Sequence, residues 1–233
     1  LLPEQSLAHA NVDVVVRREG EQSLLSLCRA LATDGDLGSV PGISYLDGAT
    51  YVENPAAPYL DVSAAPEIPY GLVNVDDYMP LYEGRRSLYM ETSRGCPFAC
   101  TYCYNVYFND RKWRAQSPQR VIERVRFARD RFGVEDVYFT DDDFFINAKR
   151  SRAIIEGLLD VDVTWQVQGS DIICVSKMDD DFLRLLSDSG FRRFTIGIET
   201  GSPRVRKTMK KAGSVELIEK TFQRLARFDF IIF

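Results

Sequence analysis

The chain has 233 residues, of which 45% are hydrophobic, 27% charged and 12% aromatic, a composition that supports a sizeable core and excludes a disordered, collagenous or disulfide-dense chain. The 29 Lys and Arg against 34 Asp and Glu leave a net charge of −5, so no global field draws it to nucleic acid or anionic lipid. No apolar run approaches the roughly 20 residues that span a bilayer, and the first residues lack the basic-then-apolar pattern of a signal peptide, which points to a cytoplasmic protein with no membrane partner.

In chain order, a short strand over Val12 to Val16 leads to a helix from about Gln22 to Ala32. On it Leu24, Leu27, Cys28 and Leu31 recur at three- and four-residue spacing and are expected to share one buried face. A lone strand-helix unit cannot bury that face by itself. With no initiator methionine and an uncapped apolar run at Phe230 to Phe233, the chain reads as an internal fragment. A hairpin follows, Ile43 to Leu46 and Ala49 to Val52, joined by Asp47-Gly48, a pair that tolerates the positive φ of a tight turn. Pro55, Pro58, Pro66 and Pro69 mark an extended linker.

From Ser87 strands alternate with helices. The strands are expected at Leu88 to Glu91, Val134 to Thr140, Asp162 to Val167, Phe191 to Ile198 and Phe230 to Phe233. Ser117-Pro118 offers an N-cap and a preset first turn to a helix whose stripe is Val121, Ile122, Val125, Ala128 and Phe132, ending at Gly133. Asn147, Asp179 and Ser214 are further caps. Crossovers at roughly 30-residue spacing imply a parallel sheet, doubly wound or curved into part of a barrel, and in both cases ligands gather at the carboxyl ends of the strands.

The five cysteines are Cys28, Cys96, Cys100, Cys103 and Cys174, an odd number with three packed into eight positions at the end of the first of these strands. Three thiolates separated by three and then two residues can converge on three corners of a [4Fe-4S] cubane, leaving one iron open for a small molecule. Zinc normally takes four ligands, often as two pairs, and the only histidine is His9. The spacing and the ligand shortage favour the cluster over a zinc site or unligated thiols.

Cys96-x-x-x-Cys100-x-x-Cys103, with Tyr102 before the last cysteine, resembles the signature of radical SAM enzymes. The words Ser93-Arg-Gly-Cys-Pro, Phe139-Thr-Asp-Asp-Asp-Phe-Phe and Ile196-Gly-Ile-Glu-Thr-Gly-Ser are similar to the subgroup with an N-terminal cobalamin-binding domain, and Val12 to Glu21 resembles the tail of that domain. The resemblance implies an α/β chain in which a partial parallel (β/α) barrel follows the C-terminal remnant of a Rossmann-like cobalamin-binding domain. Residues 1–54 would be that remnant, 55–81 the linker, and 82–233 a radical SAM core truncated at its C-terminus.

The resemblance also implies the chemistry. The cluster would reduce S-adenosylmethionine to a 5′-deoxyadenosyl radical, with the protein orienting the cofactors and excluding water. Cys96, Cys100 and Cys103 would be the cluster ligands, and Tyr102 would lie near the adenine. Thr140, Asp141 and Asp142 stand where relatives carry a Gly-Gly-Glu segment for the methionine amino group; a solvated acidic turn, a helix cap or a Mg²⁺ site are the other readings of these residues. Gln168 and Ser170 fall where relatives place polar cofactor contacts, with Ser170 at an arginine's position, and Glu199 matches a glutamate associated with the ribose hydroxyls.

The leading expectation is a cobalamin-dependent C-methyltransferase acting on an unactivated carbon of a small molecule, with an external electron donor. A radical SAM cyclase or rearrangement enzyme, an RNA methylthiotransferase, and a non-enzymatic structural metal module or electron carrier are the alternatives. The Asp-x-His-x-x-Gly motif of many cobalamin domains is absent, so weak cobalamin binding by these residues alone is expected. Arg111 to Arg114, after Tyr104, Tyr107 and Phe108, has the makings of a nucleic-acid surface, but such runs more often lie over a sheet edge with their charges in water, and no nucleic-acid partner is expected. Arg204, Arg206, Lys207, Lys210 and Lys211 read as a solvated helix face.

Overall fold

The computed structural model describes residues 2–233. The chain divides into two compact units, Leu1–Ala65 and Pro66–Phe233. The first opens with α1 (Pro3–Leu7) and continues through β1 (Val14–Val16), α2 (Glu21–Ala32), β2 (Ile43–Asp47) and β3 (Thr50–Glu53). β2 pairs antiparallel with both β1 and β3, and the β2–β3 turn has Gly48 at φ +58°. The expected burial of one α2 stripe does not hold: Leu27 packs with Val40 and Ile43, while Leu24, Cys28 and Leu31 are exposed. A three-stranded sheet is narrow, and it meets only the Ser23–Leu27–Ala30 side. There a Cβ on Gly42 would lie 2.6 Å from Ser23 Oγ.

The second unit runs β4 (Leu81–Tyr82), β5 (Arg85–Met90), β6 (Ser93–Arg94), α3 (Asn105–Phe108), β7 (Arg114–Ala115), α4 (Pro118–Phe132), β8 (Asp136–Phe139), α5 (Ala148–Leu158), β9 (Thr164–Val167), α6 (Ile172–Ser176), α7 (Asp180–Asp188), β10 (Phe191–Phe194), α8 (Pro203–Met209), α9 (Val215–Leu225) and β11 (Ile231–Ile232). Its main sheet has the order β11-β10-β9-β8-β5-β4, parallel throughout except for the antiparallel β4–β5 edge. Parallel neighbours need crossovers, and the helices supply them.

Alternation along the strands sorts the two faces. Leu88, Met90, Val137, Phe139, Trp165 and Val167 join the helix stripes in the core, where the Trp165 ring lies 5.7 Å from Phe139 and 4.7 Å from Phe191. Tyr89, Tyr138, Gln166 and Arg193 are in register across four strands on the opposite face. Arg193 on β10 lies 5.2 Å from the ring of Tyr82 on β4, at the other side of the sheet. Only a curled sheet brings those strands together, and the α/β architecture is the expected partial parallel barrel.

The helix signals act as expected. Ser117, Asn147, Asp179 and Ser214 each accept a backbone N–H in the first turn of their helix, and Gly133 takes the left-handed conformation that ends α4. Four strands are shorter than expected. Val134 and Glu135 precede β8, β9 begins at Thr164, β11 keeps only Ile231 and Ile232, and β10 ends at Phe194, beyond which Ile196 still pairs in parallel with Ser170, whose N–H and hydroxyl donate to the carbonyl of Thr195. Tyr70, from the proline-rich stretch, packs on Phe127 and Phe132 of α4.

Candidate functional site

The three clustered cysteines lie on a loop closed by the β6–β7 pair, Ser93 opposite Ala115 and Arg94 opposite Arg114. The loop turns at Gly95, whose φ of +85° and lack of a side chain are both required: a Cβ there would sit 2.1 Å from the carbonyl oxygen of Lys112. Cys103 N–H donates to the carbonyl of Cys100 at 3.1 Å, and Thr101 N–H donates to the carbonyl of Met209 at 3.0 Å, which ties the loop to the end of α8. Cys100 is buried and Cys96 and Cys103 are half-buried. Burial pushes the Cys96 thiol up to about 12, with the negative charges of Asp143, Asp171 and Cys103 adding to it. A bound cation offsets that cost.

The carboxyl end of β8 anchors this loop. Asp141 is fully buried and accepts from Thr92 N at 2.7 Å, Thr92 Oγ1 at 2.6 Å and Ser93 Oγ at 2.6 Å. Burial raises its pKa, opposed by those hydrogen bonds and by the charge of Arg150. Asp142 accepts from Gly95 N at 2.8 Å and from Tyr104 Oη at 2.6 Å. Burial, and then that same bond, raise the Tyr104 phenol above its ordinary value.

Thr140 continues β8 by donating its N–H to the carbonyl of Met90. Across the opening, Tyr102 is 49% exposed and lies against both Cys100 and Glu199; burial and those two charges raise its phenol. Glu199 is exposed, with φ +64°. Gln168 is exposed at the end of β9. Ser170 is buried and its hydroxyl is spent on the carbonyl of Thr195 at 2.7 Å. The loop thus gathers the three cysteines, Tyr102, Asp142 and Glu199, whereas Asp141 and Ser170 lie beneath it with their polar atoms engaged.

A second polar cluster adjoins the loop. Asp143, 1% exposed, accepts from Phe145 N at 3.1 Å, Asp171 N at 3.3 Å and Cys174 Sγ at 3.7 Å. Burial first, then the charge of Asp171, pushes its carboxyl up to about 7. Lys211 Nζ meets Asp171 Oδ2 at 2.8 Å, both side chains under a tenth exposed. Burial works against that ammonium, but the hydrogen bond and charge of Asp171 outweigh it and hold its pKa above the usual lysine value. The solvated-face expectation is therefore corrected for two residues. Lys211 compensates a buried carboxylate, and buried Arg206 donates to the carbonyls of Ile198, Thr200 and Gly213 in the turns around α8. Cys174 sits in α6.

Arg150 and Thr92 escaped the sequence reading. Arg150 carried a signal, since it precedes Ile154 and Leu158 at four-residue spacing and so shares their buried stripe. Among the described residues no three His, Cys, Asp or Glu side chains are already drawn together as a metal site. The donor set nevertheless suits soft, thiolate-seeking iron: three thiols from one tethered loop at the carboxyl edge of a half-barrel.

Comparison with known proteins agrees with this geometry. An uncharacterised methyltransferase of Pyrococcus horikoshii is 30% identical over 200 residues, covering 83% of this chain and 42% of the relative. The anaerobic magnesium-protoporphyrin IX monomethyl ester cyclase of Synechocystis sp. is 27% identical over 216 residues, covering 93% and 43%. The chain thus spans about two fifths of the length of these curated relatives. Among solved structures, the cobalamin-dependent S-adenosylmethionine radical enzyme OxsB, with aqua-cobalamin and S-adenosylmethionine bound, superposes with a TM-score of 0.79 at 22% identity over 98% of this chain and 34% of OxsB. The model of the radical SAM superfamily matches residues 90–232, from the last residue of β5 through the cysteine loop to β11, and the chain belongs to that superfamily.

Proposed function

We propose that the protein binds a [4Fe-4S] cluster through Cys96, Cys100 and Cys103 and S-adenosylmethionine beside it, and that the whole protein is a cobalamin-dependent methyltransferase acting on a carbon of a small molecule. The observation that carries this reading is the three-cysteine loop held over the carboxyl edge of a curled parallel sheet in a chain of this superfamily. When bound, such a cluster supplies the electron that cleaves S-adenosylmethionine.

The chain's own residues would prepare the site. Tyr102 offers a half-exposed ring to a flat base, and the Glu199 carboxylate beside it can accept from two vicinal hydroxyls. Thr140 and Gln168 present polar groups at the same edge. The oxygens of Asp142 already hold Gly95 and Tyr104, so its part is to shape the loop on which the ammonium of the cofactor would rest. We assign the first unit, through residue 54, to the end of a cobalamin-binding domain. An external one-electron donor completes the system.

Methyl transfer is preferred to ring closure because the 30% identical relative is named a methyltransferase and the cyclase stands at 27%. The test is product analysis on the full-length protein, reconstituted anaerobically with iron, sulfide and methylcobalamin and supplied with S-adenosylmethionine and reductant. A methyltransferase forms both 5′-deoxyadenosine and S-adenosylhomocysteine. Formation of 5′-deoxyadenosine alone, with and without cobalamin, supports the cyclase reading, and neither product supports a structural module.

A further inference from the structure

We propose that Arg150 is a positioning residue which, through Thr92 and Asp141, closes the root of the cysteine loop in its cluster-ready shape before any cluster is present. The inference rests on the loop being the cluster loop, as proposed above, but it concerns the iron-free chain.

The cysteines lie between Thr92, which precedes β6, and Gln116, which follows β7. The two strands that should close this loop have only two residues each, too few to hold a hairpin by themselves. Arg150, from the first turn of α5, supplies the closure. Its Nε donates to the carbonyl of Gln116 at 2.8 Å, and its Nη2 donates to the carbonyl and the hydroxyl of Thr92 at 3.0 and 2.8 Å. Gln116 N–H also donates to the carbonyl of Thr92 at 2.9 Å. The Thr92 hydroxyl in turn donates a hydrogen bond to Asp141 Oδ2 at 2.6 Å. A cation and a carboxylate thus face each other across one hydroxyl, and both ends of the loop are tied to that line.

All of these groups are buried: Arg150 is 7% exposed, Gln116 8%, and Thr92 and Asp141 0%. The guanidinium lies 5.7 Å from both the Trp113 and Phe144 rings. Burying an arginine and an aspartate gains little stability over apolar packing. What it does supply is direction, because three bonds in two directions from one planar fork define where the two chain ends meet, which a lysine cannot do. Without it, the entropy of closing the loop would be charged to cluster binding.

The test compares wild type with Arg150→Lys, Thr92→Val and Thr92→Ser by amide hydrogen exchange in the iron-free chain, followed by the rate of cluster uptake on anaerobic reconstitution. In wild type the Gly95 and Gln116 amides should be protected without iron. In Arg150→Lys and Thr92→Val they should exchange at least about tenfold faster, and cluster uptake should slow, while β8 and β9 amides keep their protection and Thr92→Ser behaves as wild type. Unprotected loop amides in wild type, unchanged exchange in both disruptive variants, or loss of β8 and β9 protection together with the loop would each overturn the proposal. Because exchange is read without iron, the answer stands even if the chain takes up no cluster, which would instead overturn the proposed function.

Discussion

Asp143 shows how a single carboxyl records its surroundings. Burial, reinforced by Asp171, pushes it up to about 7 in the folded chain, against about 3.9 when unfolded. The folded state therefore holds this proton more tightly, so its contribution to stability is fully present below about pH 4 and is lost as pH rises to about 7. Urea unfolding at pH 5 and pH 7 should show lower stability at pH 7, and Asp143→Asn should flatten the difference; a slope unchanged by the substitution would contradict the assignment. Gly95 is a second case. Alanine there meets the Lys112 carbonyl oxygen at 2.1 Å in a left-handed conformation, so Gly95→Ala should cost about 2 kcal/mol or more, measured by thermal unfolding, and should lower iron content on reconstitution. That Cys96, Cys100 and Cys103 share one loop was legible because their spacing is local. The roles of Arg150, Thr92 and Lys211 were not, since each side chain bonds partners 34 to 58 positions away.

At the scale of elements, caps and stripes read well where the partner surface was wide. α4 begins at Ser117-Pro118, ends at Gly133 and buries Val121, Ile122, Val125 and Ala128, so Ser117→Ala should cost about 1 kcal/mol in a denaturant titration. Trp165, fully buried between β8 and β10 and donating its indole N–H to the carbonyl of Ser189 at 3.0 Å, should cost about 3–5 kcal/mol when changed to alanine. α2 shows the limit. Its periodic leucines specify a helix, but which stripe is buried depends on the width of the sheet it meets, and periodicity does not encode that width. The short β6–β7 pair was missed for a related reason: two residues carry no alternation, and what closes the loop is the side-chain clamp beneath it.

At the scale of the whole molecule, the alternation of strands and helices from Ser87 onward foretold a parallel sheet but left open whether it was flat or curled. The answer lies in pairs such as Arg193 and Tyr82, which are 111 positions apart. The curl leaves Tyr89, Tyr138, Gln166 and Arg193 on the face turned away from the helices, below the edge that carries the cysteine loop. No helix among the described residues is long and apolar enough to cross a membrane.

The most direct test of the central claim is the electron paramagnetic resonance spectrum of the anaerobically reconstituted, reduced chain, recorded with and without S-adenosylmethionine and with Cys100→Ala as control. A [4Fe-4S] signal is expected that shifts when S-adenosylmethionine is added and that is lost or greatly reduced in the control. A cluster signal indifferent to S-adenosylmethionine, or one that survives unchanged in Cys100→Ala, would contradict it.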